Sequence, residues 1–159
     1  MKKLIIIRHA KATHETGYED FERPLTQRGL HDAAVVAGRL KETEHVPQML
    51  VSSPALRTIS TAHIFSQHLD LSAAGEIKAI YEADVDDLYE VVTQLPDEVD
   101  CIGLVGHNPA LGQLLYYFSG AAHDVPTCAV AVIEFDTNIW EAVTANSGQL
   151  VYYDYPKNI

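Results

Sequence analysis

Short apolar runs recur along the chain, with polar segments between them. The run Leu4–Ile7 is aliphatic throughout, as expected for a strand that is buried on both faces of a sheet. The runs Met49–Val51 and Cys101–Val105 predict two further strands, and Ile77–Ile80 predicts a weaker one between them. Three strands joined by turns are predicted near the C terminus, at Cys128–Phe135, Trp140–Thr144 and Gln149–Tyr153.

Segments in which apolar residues have helical spacing lie between the earlier strands. Thr26 is the predicted N-cap of the first helix, and Ser53 is that of the second, with Pro54 at its first helical position. Asn108 and Pro109 repeat this signal before the last predicted helix. The predicted apolar face of the first helix consists of Leu30, Ala33, Ala37 and Leu40.

This alternation of strand and helix predicts the fold class. It is typical of an α/β domain with three layers, α/β/α, in which a mostly parallel central sheet carries helices on both faces. The strands at the C-terminal end are expected to be antiparallel. The chain of 159 residues has the length of one domain, spanning residues 1–159. Its hydrophobic fraction of 47% is enough for a core.

The chain is strongly acidic, with 11 lysine and arginine residues against 22 aspartate and glutamate residues and a formal net charge of -11. Such a surface repels phosphate backbones and anionic lipids, so neither nucleic acid nor a membrane is an expected partner. The apolar start of the chain ends at Arg8, short of the ~7–15 apolar residues of a signal peptide, and the expected location is the cytoplasm. An anionic ligand must therefore be held by a local basic site.

Three polar clusters follow predicted strands. Arg8 and His9 come directly after the first strand, Arg57 lies shortly after the second, and His107 follows Cys101–Val105. Ligands of open parallel sheets bind at the carboxyl ends of the strands, so the three clusters are expected to converge on one crevice. Arginine binds phosphate oxygens with bidentate hydrogen bonds, and helix N-termini offer free N–H groups to anions. The predicted site is therefore an oxyanion pocket.

A metal site is the competing interpretation of this cluster, because histidine is the commonest protein ligand of metals. Arg8 and Arg57 would repel a divalent cation, and the chain has no H-x-H or H-E-x-x-H spacing. We therefore expect no metal and no cofactor, since the arginines supply the positive charge that a metal would bring.

Four short motifs with charged or polar residues follow one another along the chain. Leu4–Lys11 carries Arg-His directly after a strand, and the segments Arg23–Gly29, Ser52–Thr58 and Val105–Pro109 follow it. Together they resemble the histidine phosphatase (phosphoglycerate mutase-like) superfamily, and in particular its compact SixA-type phosphohistidine phosphatase branch. The resemblance runs from residue 4 to about residue 118, and it implies the same three-layer fold.

The resemblance implies a role for each residue of the pocket. His9 would be the nucleophile, which takes the phosphoryl group as a phosphohistidine intermediate that water then hydrolyses. Arg8, Arg57 and His107 would hold the non-bridging oxygens of that group. Because His9 must attack as neutral imidazole, its other ring nitrogen is expected to donate to a fixed acceptor.

Two further residues have alternative interpretations. Glu82 resembles the carboxylate that protonates the leaving group in larger members of the superfamily, but a solvated loop glutamate fits the sequence as well. Arg23 matches a position of the family pattern and would add positive charge to phosphate binding at the pocket rim. The alternative for Arg23 is a surface ion pair with Glu19, Asp20 or Glu22.

The favoured substrate is phosphohistidine on a protein, such as a phosphorelay or histidine phosphotransfer domain. Only residues 69–80 separate the second helix from Glu82, so we expect an open pocket, which suits a side chain presented by another protein. Two alternatives stay open: a small-molecule phosphomonoesterase of the same superfamily that acts on a small phosphate ester, and a non-catalytic phosphate-binding module. Lys11 and Ala12 depart from the residues often seen after the signature in mutases, and His14 lies in a loop that is expected to overhang the site.

Overall fold

A mixed sheet of six strands forms the centre of residues 1–158, which are the residues that the computed structural model describes. The strands are β1 (Lys2–Arg8), β2 (Met49–Ser52), β3 (Gly75–Glu76), β4 (Cys101–Gly106), β5 (Val130–Phe135) and β6 (Gly148–Asp154). Their order across the sheet is β3-β2-β4-β1-β5-β6. The first four strands run parallel, and β5 pairs antiparallel with both β1 and β6. The predicted sheet, parallel with antiparallel strands at its C-terminal end, is confirmed.

Helices cover both faces of this sheet. The α-helices are α1 (Gln27–Lys41), α2 (Leu56–His68), α3 (Val85–Thr93) and α4 (Ala110–Ser119), and short 3-10 helices lie at Asp20–Glu22, Lys78–Ile80 and Trp140–Ala142. The alternating side chains of β1 contribute to two cores: Ile5 and Ile7 pack with the inner faces of α1 and α2, whereas Leu4 and Ile6 pack with α3 and α4. The predicted three-layer α/β/α architecture is therefore confirmed.

Two predicted strands are wrong. The strand expected at Ile77–Ile80 is displaced to Gly75–Glu76, and the chain turns into a 3-10 helix at Lys78–Ile80. The segment expected as a strand at Trp140–Thr144 also begins with a 3-10 helix, because Trp140 bonds to the loop before β4 instead of to a strand. Its backbone N–H donates to a carboxylate oxygen of Asp97 at 2.8 Å, and its indole N–H donates to the carbonyl of Val99 at 3.0 Å.

The predicted caps have mixed outcomes. Thr26 caps α1 as expected, since its hydroxyl accepts from the N–H of Gly29 at 3.0 Å. Ser53 does not cap α2, which begins at Leu56 with Ala55 in the N-cap position. Its hydroxyl instead contacts a histidine of the site described below. Before α4, a side-chain oxygen of Asn108 accepts from the N–H of Gly112 at 3.2 Å. The N-cap position itself is held by Pro109, which has no side-chain cap bond, and α4 begins at Ala110. The predicted N-cap is therefore wrong by one residue.

The buried face of α1 also differs from the predicted one. Leu30 is 43% exposed, whereas Gly29 is buried. A side chain at Gly29 would overlap the carbonyl oxygen of Lys11, so the loop after β1 crosses α1 at a residue without a Cβ. The loop that makes this close approach carries Lys11, which lines the site described below. Within residues 1–158, no helix combines the length and the apolar composition needed to cross a bilayer.

Candidate active site

The carboxyl ends of β1, β4 and β2 lie side by side. Arg8 of β1 is in register with Gly106 of β4, and the N–H of His9 donates to the carbonyl of Gly106 at 3.1 Å. On the other side of β4, the N–H of Ser53 donates to the carbonyl of Val105 at 3.1 Å. Parallel pairing thus brings the three polar clusters to one edge of the sheet, where ligands of such sheets bind.

A small basic cavity of about 200 Å³ lies at this edge. The structure brings five of the six candidate residues into its wall. The lining residues are Arg8, His9, Lys11, Ala12, His14, Arg23, Arg57, His107, Asn108 and Thr127. No carboxylate is among them, so in this acidic protein the cavity is a local region of positive charge suited to an anion.

His9 is held in one orientation and one protonation state. Its ring is 8% exposed, and its Nδ1 lies 2.8 Å from the carbonyl oxygen of Ala10. Because a carbonyl oxygen can only accept, Nδ1 carries the proton and Nε2 keeps its lone pair. The pKa of His9 is lowered to about 4, mainly by burial and also by the charges of Arg57 and Arg8, against the hydrogen bond to Ala10, which raises it. The ring is therefore neutral at neutral pH, and its orientation is fixed.

Arg8 and Arg57 are each anchored through their terminal nitrogens. Nη1 of Arg8 donates to the carbonyl of Val125 at 3.2 Å. Arg57 is 6% exposed, and it donates from Nη1 to the carbonyl of Asp20 at 2.7 Å and from Nη2 to the carboxylate of Asp20 at 3.2 Å. In both arginines Nε is buried and has no partner within residues 1–158. Each arginine thus retains a buried donor that the described residues leave unsatisfied.

His107 forms part of the cavity wall. Its Nε2 lies 2.8 Å from the hydroxyl of Ser53, and its Nδ1 is buried without a partner in the described residues. The Ser53 hydroxyl also accepts from the N–H of Ala55 at 3.3 Å. Burial lowers the pKa of His107 to about 3, with smaller contributions from the charges of Arg57 and His9.

Arg23 occupies the rim of the cavity. It lines the cavity, it donates from Nη1 to the carbonyl of Thr13 at 3.0 Å, and its Nε lies 3.2 Å from the carboxylate of Asp20. The two interpretations that the sequence left open are therefore compatible, because the side chain both faces the pocket and forms an ion pair. His14, from the loop after β1, also lines the cavity.

The site contains two residues that the sequence did not single out. The carboxylate of Asp20 accepts from the hydroxyl of Tyr81 at 2.7 Å in addition to Arg57 and Arg23. The ring of Tyr81 packs edge-on against His107, with 5.7 Å between centroids. The hydrogen bond from Tyr81 lowers the pKa of Asp20, with further lowering by Arg57, and raises the pKa of Tyr81 to about 12. The only signal in the sequence was the position of Asp20 three residues before Arg23, which suggested a surface ion pair.

With this geometry described, sequence comparison decides the family. Residues 4–98 match the sequence model of the histidine phosphatase superfamily (branch 1). The chain belongs to the histidine phosphatase superfamily. A relative from Arabidopsis thaliana, an uncharacterized chloroplastic protein, is 29% identical over 159 residues, which cover 92% of this chain and 72% of that protein.

Solved structures agree with this family. A protein assigned as the phosphohistidine phosphatase SixA of Agrobacterium tumefaciens superimposes with a TM-score of 0.84 over 98% of both chains, at 23% identity, a likeness of fold. The protein histidine phosphatase SixA in complex with tungstate has a TM-score of 0.81 and 26% identity over 98% of both chains. The resemblance to the SixA-type branch of the superfamily that the motifs indicated is confirmed.

Glu82, the acid expected from larger superfamily members, lies outside the basic cavity. It is exposed, and within residues 1–158 its carboxylate forms no hydrogen bond or ion pair. It lines a neighbouring cavity of about 540 Å³, together with Phe21, Pro54, Glu76, Lys78 and Tyr81. In this protein, Asp20 supplies the carboxylate that contacts Arg57 and Arg23. The described residues contain no group of three or more His, Cys, Asp or Glu arranged to hold a metal ion.

Proposed function

We propose that this phosphatase hydrolyses phosphohistidine on a protein, with His9 as the nucleophile. Nε2 of His9 attacks the phosphorus, the bond between phosphorus and the substrate imidazole breaks, and that imidazole leaves as a neutral group after its second nitrogen has been protonated. Water then attacks the phosphohistidine intermediate, which releases inorganic phosphate and restores His9. The observation that carries this proposal is a buried, neutral imidazole fixed by the carbonyl of Ala10 and surrounded by arginines.

The proposed roles of the surrounding residues follow from their unpartnered donors. Nε of Arg8, Nε of Arg57 and Nδ1 of His107 are buried polar atoms without partners in residues 1–158. Donors that are fixed before the reaction stabilise charge on a transferring phosphoryl group without further reorganisation. Arg23, at the rim, adds positive charge to phosphate binding. The same arrangement supplies the charge stabilisation that other phosphatases obtain from a metal.

The size of the cavity supports a phosphoryl group presented on a side chain. Its volume of about 200 Å³ is below the roughly 300–1,000 Å³ of sites that enclose a whole small molecule. A phosphoryl group therefore fits inside, and the rest of the substrate stays at the surface. Phosphohistidine also places a modest demand on acid catalysis, since a protonated imidazole is a good leaving group. This agrees with an exposed Glu82 outside the cavity. The proposed partner is a phosphorylated protein of the phosphotransfer type.

The proposal is tested with a phosphotransfer domain that carries labelled phosphohistidine. The wild-type protein is expected to release inorganic phosphate and to form a labelled phosphoenzyme that is stable to base and labile to acid, and His9→Ala is expected to do neither. A panel of sugar phosphates and nucleotides is assayed at equal concentration, so that hydrolysis of small phosphate esters can be compared with hydrolysis of the phosphoprotein. Hydrolysis of a panel member with a kcat/KM well above that of the phosphoprotein would overturn the proposed substrate, and activity of purified His9→Ala equal to wild type would overturn the nucleophile.

A further inference from the structure

Asp20 joins three donors that come from separate parts of the chain. Its carboxylate accepts from Nη2 of Arg57 on α2 at 3.2 Å, from Nε of Arg23 at 3.2 Å, and from the hydroxyl of Tyr81 at 2.7 Å. Its backbone carbonyl accepts from Nη1 of Arg57 at 2.7 Å. Four hydrogen bonds thus converge on one residue of a single 3-10 turn, and three of them are formed with cationic donors, which strengthens such bonds.

The contacts divide the Arg57 guanidinium into two parts. Asp20 occupies both terminal nitrogens, and Nε stays buried without a partner in the described residues. Arg8 has a parallel arrangement, because Val125 accepts from its Nη1 while its Nε has no partner. A free arginine side chain loses considerable rotamer freedom when it binds a ligand, and an anchored one has lost it in advance. Asp20 therefore fixes Arg57 before any substrate arrives.

Aromatic contacts extend this network to the opposite side of the cavity. Phe21, next to Asp20, packs edge-on against Tyr81 with 5.1 Å between ring centroids. Tyr81 in turn packs against the ring of His107 at 5.7 Å. The turn that carries Asp20 is thereby braced against both Arg57 and His107, two of the groups proposed to hold the phosphoryl oxygens.

We propose that Asp20 is a positioning residue for Arg57. Its backbone carbonyl and carboxylate hold the guanidinium, Tyr81 holds the carboxylate, and the substrate meets an arginine that is already oriented. Asp20 acts through Arg57 in this role and takes no proton and no phosphoryl group itself. The inference rests on the proposed function, which gives Arg57 its role in holding the phosphoryl group. Its test includes a binding measurement that requires no turnover.

The first test compares Asp20→Asn with a matched control. Asp20→Asn keeps the backbone carbonyl but removes the charge-assisted bond to Nη2, and kcat/KM is expected to fall about 10-fold to 100-fold. Tyr81→Phe is expected to cause a smaller decrease in the same direction. Glu22→Gln removes one charge from the same turn, where its side chain has no hydrogen bond or ion pair within residues 1–158, and is expected to leave kcat/KM unchanged. Circular dichroism and the melting temperature show whether each variant is folded.

A double-mutant cycle with Arg57→Ala separates positioning from direct catalysis. If Asp20 acts through Arg57, Asp20→Asn changes kcat/KM by less than about twofold in the Arg57→Ala background. An equal decrease in both backgrounds would overturn the proposal, since it would indicate that Asp20 acts independently of Arg57, either through Arg23 or on the substrate itself. A kcat/KM unchanged by Asp20→Asn in the wild-type background would overturn it as well.

The same double-mutant cycle is repeated with the affinity for inorganic phosphate, which is measured by calorimetry. Asp20→Asn is expected to weaken binding in the wild-type background and to leave it unchanged when Arg57 is absent. Tighter binding by Asp20→Asn would overturn the proposal, because the carboxylate would then compete with the anion. A wild-type protein that binds phosphate but hydrolyses no phosphohistidine would contradict the proposed function alone, and the binding cycle would still decide the role of Asp20.

Discussion

Arg8 and Arg57 lie beside a histidine that is neutral at neutral pH, and the two features are linked. Removing an imidazole from water disfavours its charged form, and nearby cations disfavour it further. The pKa of His9 is accordingly lowered to about 4, with burial as the larger cause. The residues proposed to bind the phosphoryl group thus also keep the proposed nucleophile unprotonated. One arrangement of charge would therefore serve both of the proposed roles.

The protonation state of His9 can be measured directly. In an NMR titration of the ring nitrogens, we expect His9 to remain neutral, with its proton on Nδ1, until the pH approaches about 4. In the Arg57→Ala variant we expect a higher pKa, because one of the positive charges that lower it is removed. A His9 ring that takes up a proton near the ordinary histidine pKa of 6.5 would contradict the assignment.

Arg57 is expected to contribute more to the rate than any exposed arginine. Removing one fixed donor to a developing oxyanion costs about 2.7–4 kcal/mol of transition-state stabilisation, or about 10²–10³ in kcat. We therefore predict a decrease of that size for Arg57→Ala. Arg28→Ala is the matched control, since Arg28 is an exposed arginine paired with Asp32 on α1. Equal kinetics for the two variants would show that Arg57 does not act on the phosphoryl group.

At the scale of the element, α1 is positioned by a residue without a side chain. The loop after β1 runs so close to Gly29 that a Cβ there would overlap the carbonyl of Lys11, whereas nothing lies within 4 Å of a Cβ at Gly38 in the same helix. The two glycines therefore have opposite roles. Gly29 permits contact between the helix and the loop that lines the cavity, and Gly38 only weakens the helix.

Substitution of these glycines by alanine should separate the two effects. Gly38→Ala is expected to raise the free energy of unfolding by about 0.8–1.0 kcal/mol, the difference in helix propensity between the two residues. Gly29→Ala is expected to lower it and to reduce kcat/KM, because the loop that carries Lys11 must move. Urea denaturation and steady-state kinetics measure both quantities. The interpretation fails if the two variants shift stability in the same direction.

The helices that lead from the site show why cap signals were informative only in part. Ser53-Pro54 and Asn108-Pro109 have the same local pattern, but neither polar residue occupies the N-cap position of its helix. Asn108 still accepts from an N–H of the first turn, that of Gly112. Asn108 also donates to the carbonyl of Val125 at 2.8 Å, the acceptor that anchors Arg8. Ser53 is instead paired with His107, a residue far from it in the chain. A local pattern could not distinguish the two, because the competing partner of Ser53 arrives only with the fold.

At the scale of the whole molecule, the protein combines a net charge of -11 with a buried basic site. His9 and His107 both have a pKa below their usual 6.5, about 4 and about 3. As the pH falls below 6.5, the unfolded chain takes up protons at these rings while the native protein does not. Linkage then lowers the free energy of unfolding across this range.

The predicted consequence is a loss of stability in mild acid. The melting temperature is expected to fall as the pH is lowered from about 6.5 towards about 4. His9→Gln should show a shallower dependence, since one of the two rings no longer titrates, and His31→Gln, which changes an exposed ring, should behave as wild type. A melting temperature that is constant over this range in the wild type would contradict the buried, neutral state of both histidines.

Much of this protein was determined by local features of its sequence. The aliphatic run Leu4–Ile7, the cap Thr26 and the Arg-His pair at the end of β1 are each recognisable from a few neighbouring residues, and the order of strands and helices predicted the three layers. The aliphatic run predicts structure because a strand buried on both faces requires apolar residues throughout. The cap predicts structure because helix capping is a short-range effect.

Only the tertiary structure decided which side chains meet. Arg57 is anchored by Asp20 from 37 positions away, and Tyr81 reaches the same carboxylate from 61 positions away. The close approach of Gly29 to Lys11 and the hydrogen bond from Trp140 to Asp97 likewise join residues that are distant in the chain. A sequence states which groups can form hydrogen bonds or close contacts, but the partner of each is selected by packing of the whole chain, where one arrangement must satisfy all buried groups at once.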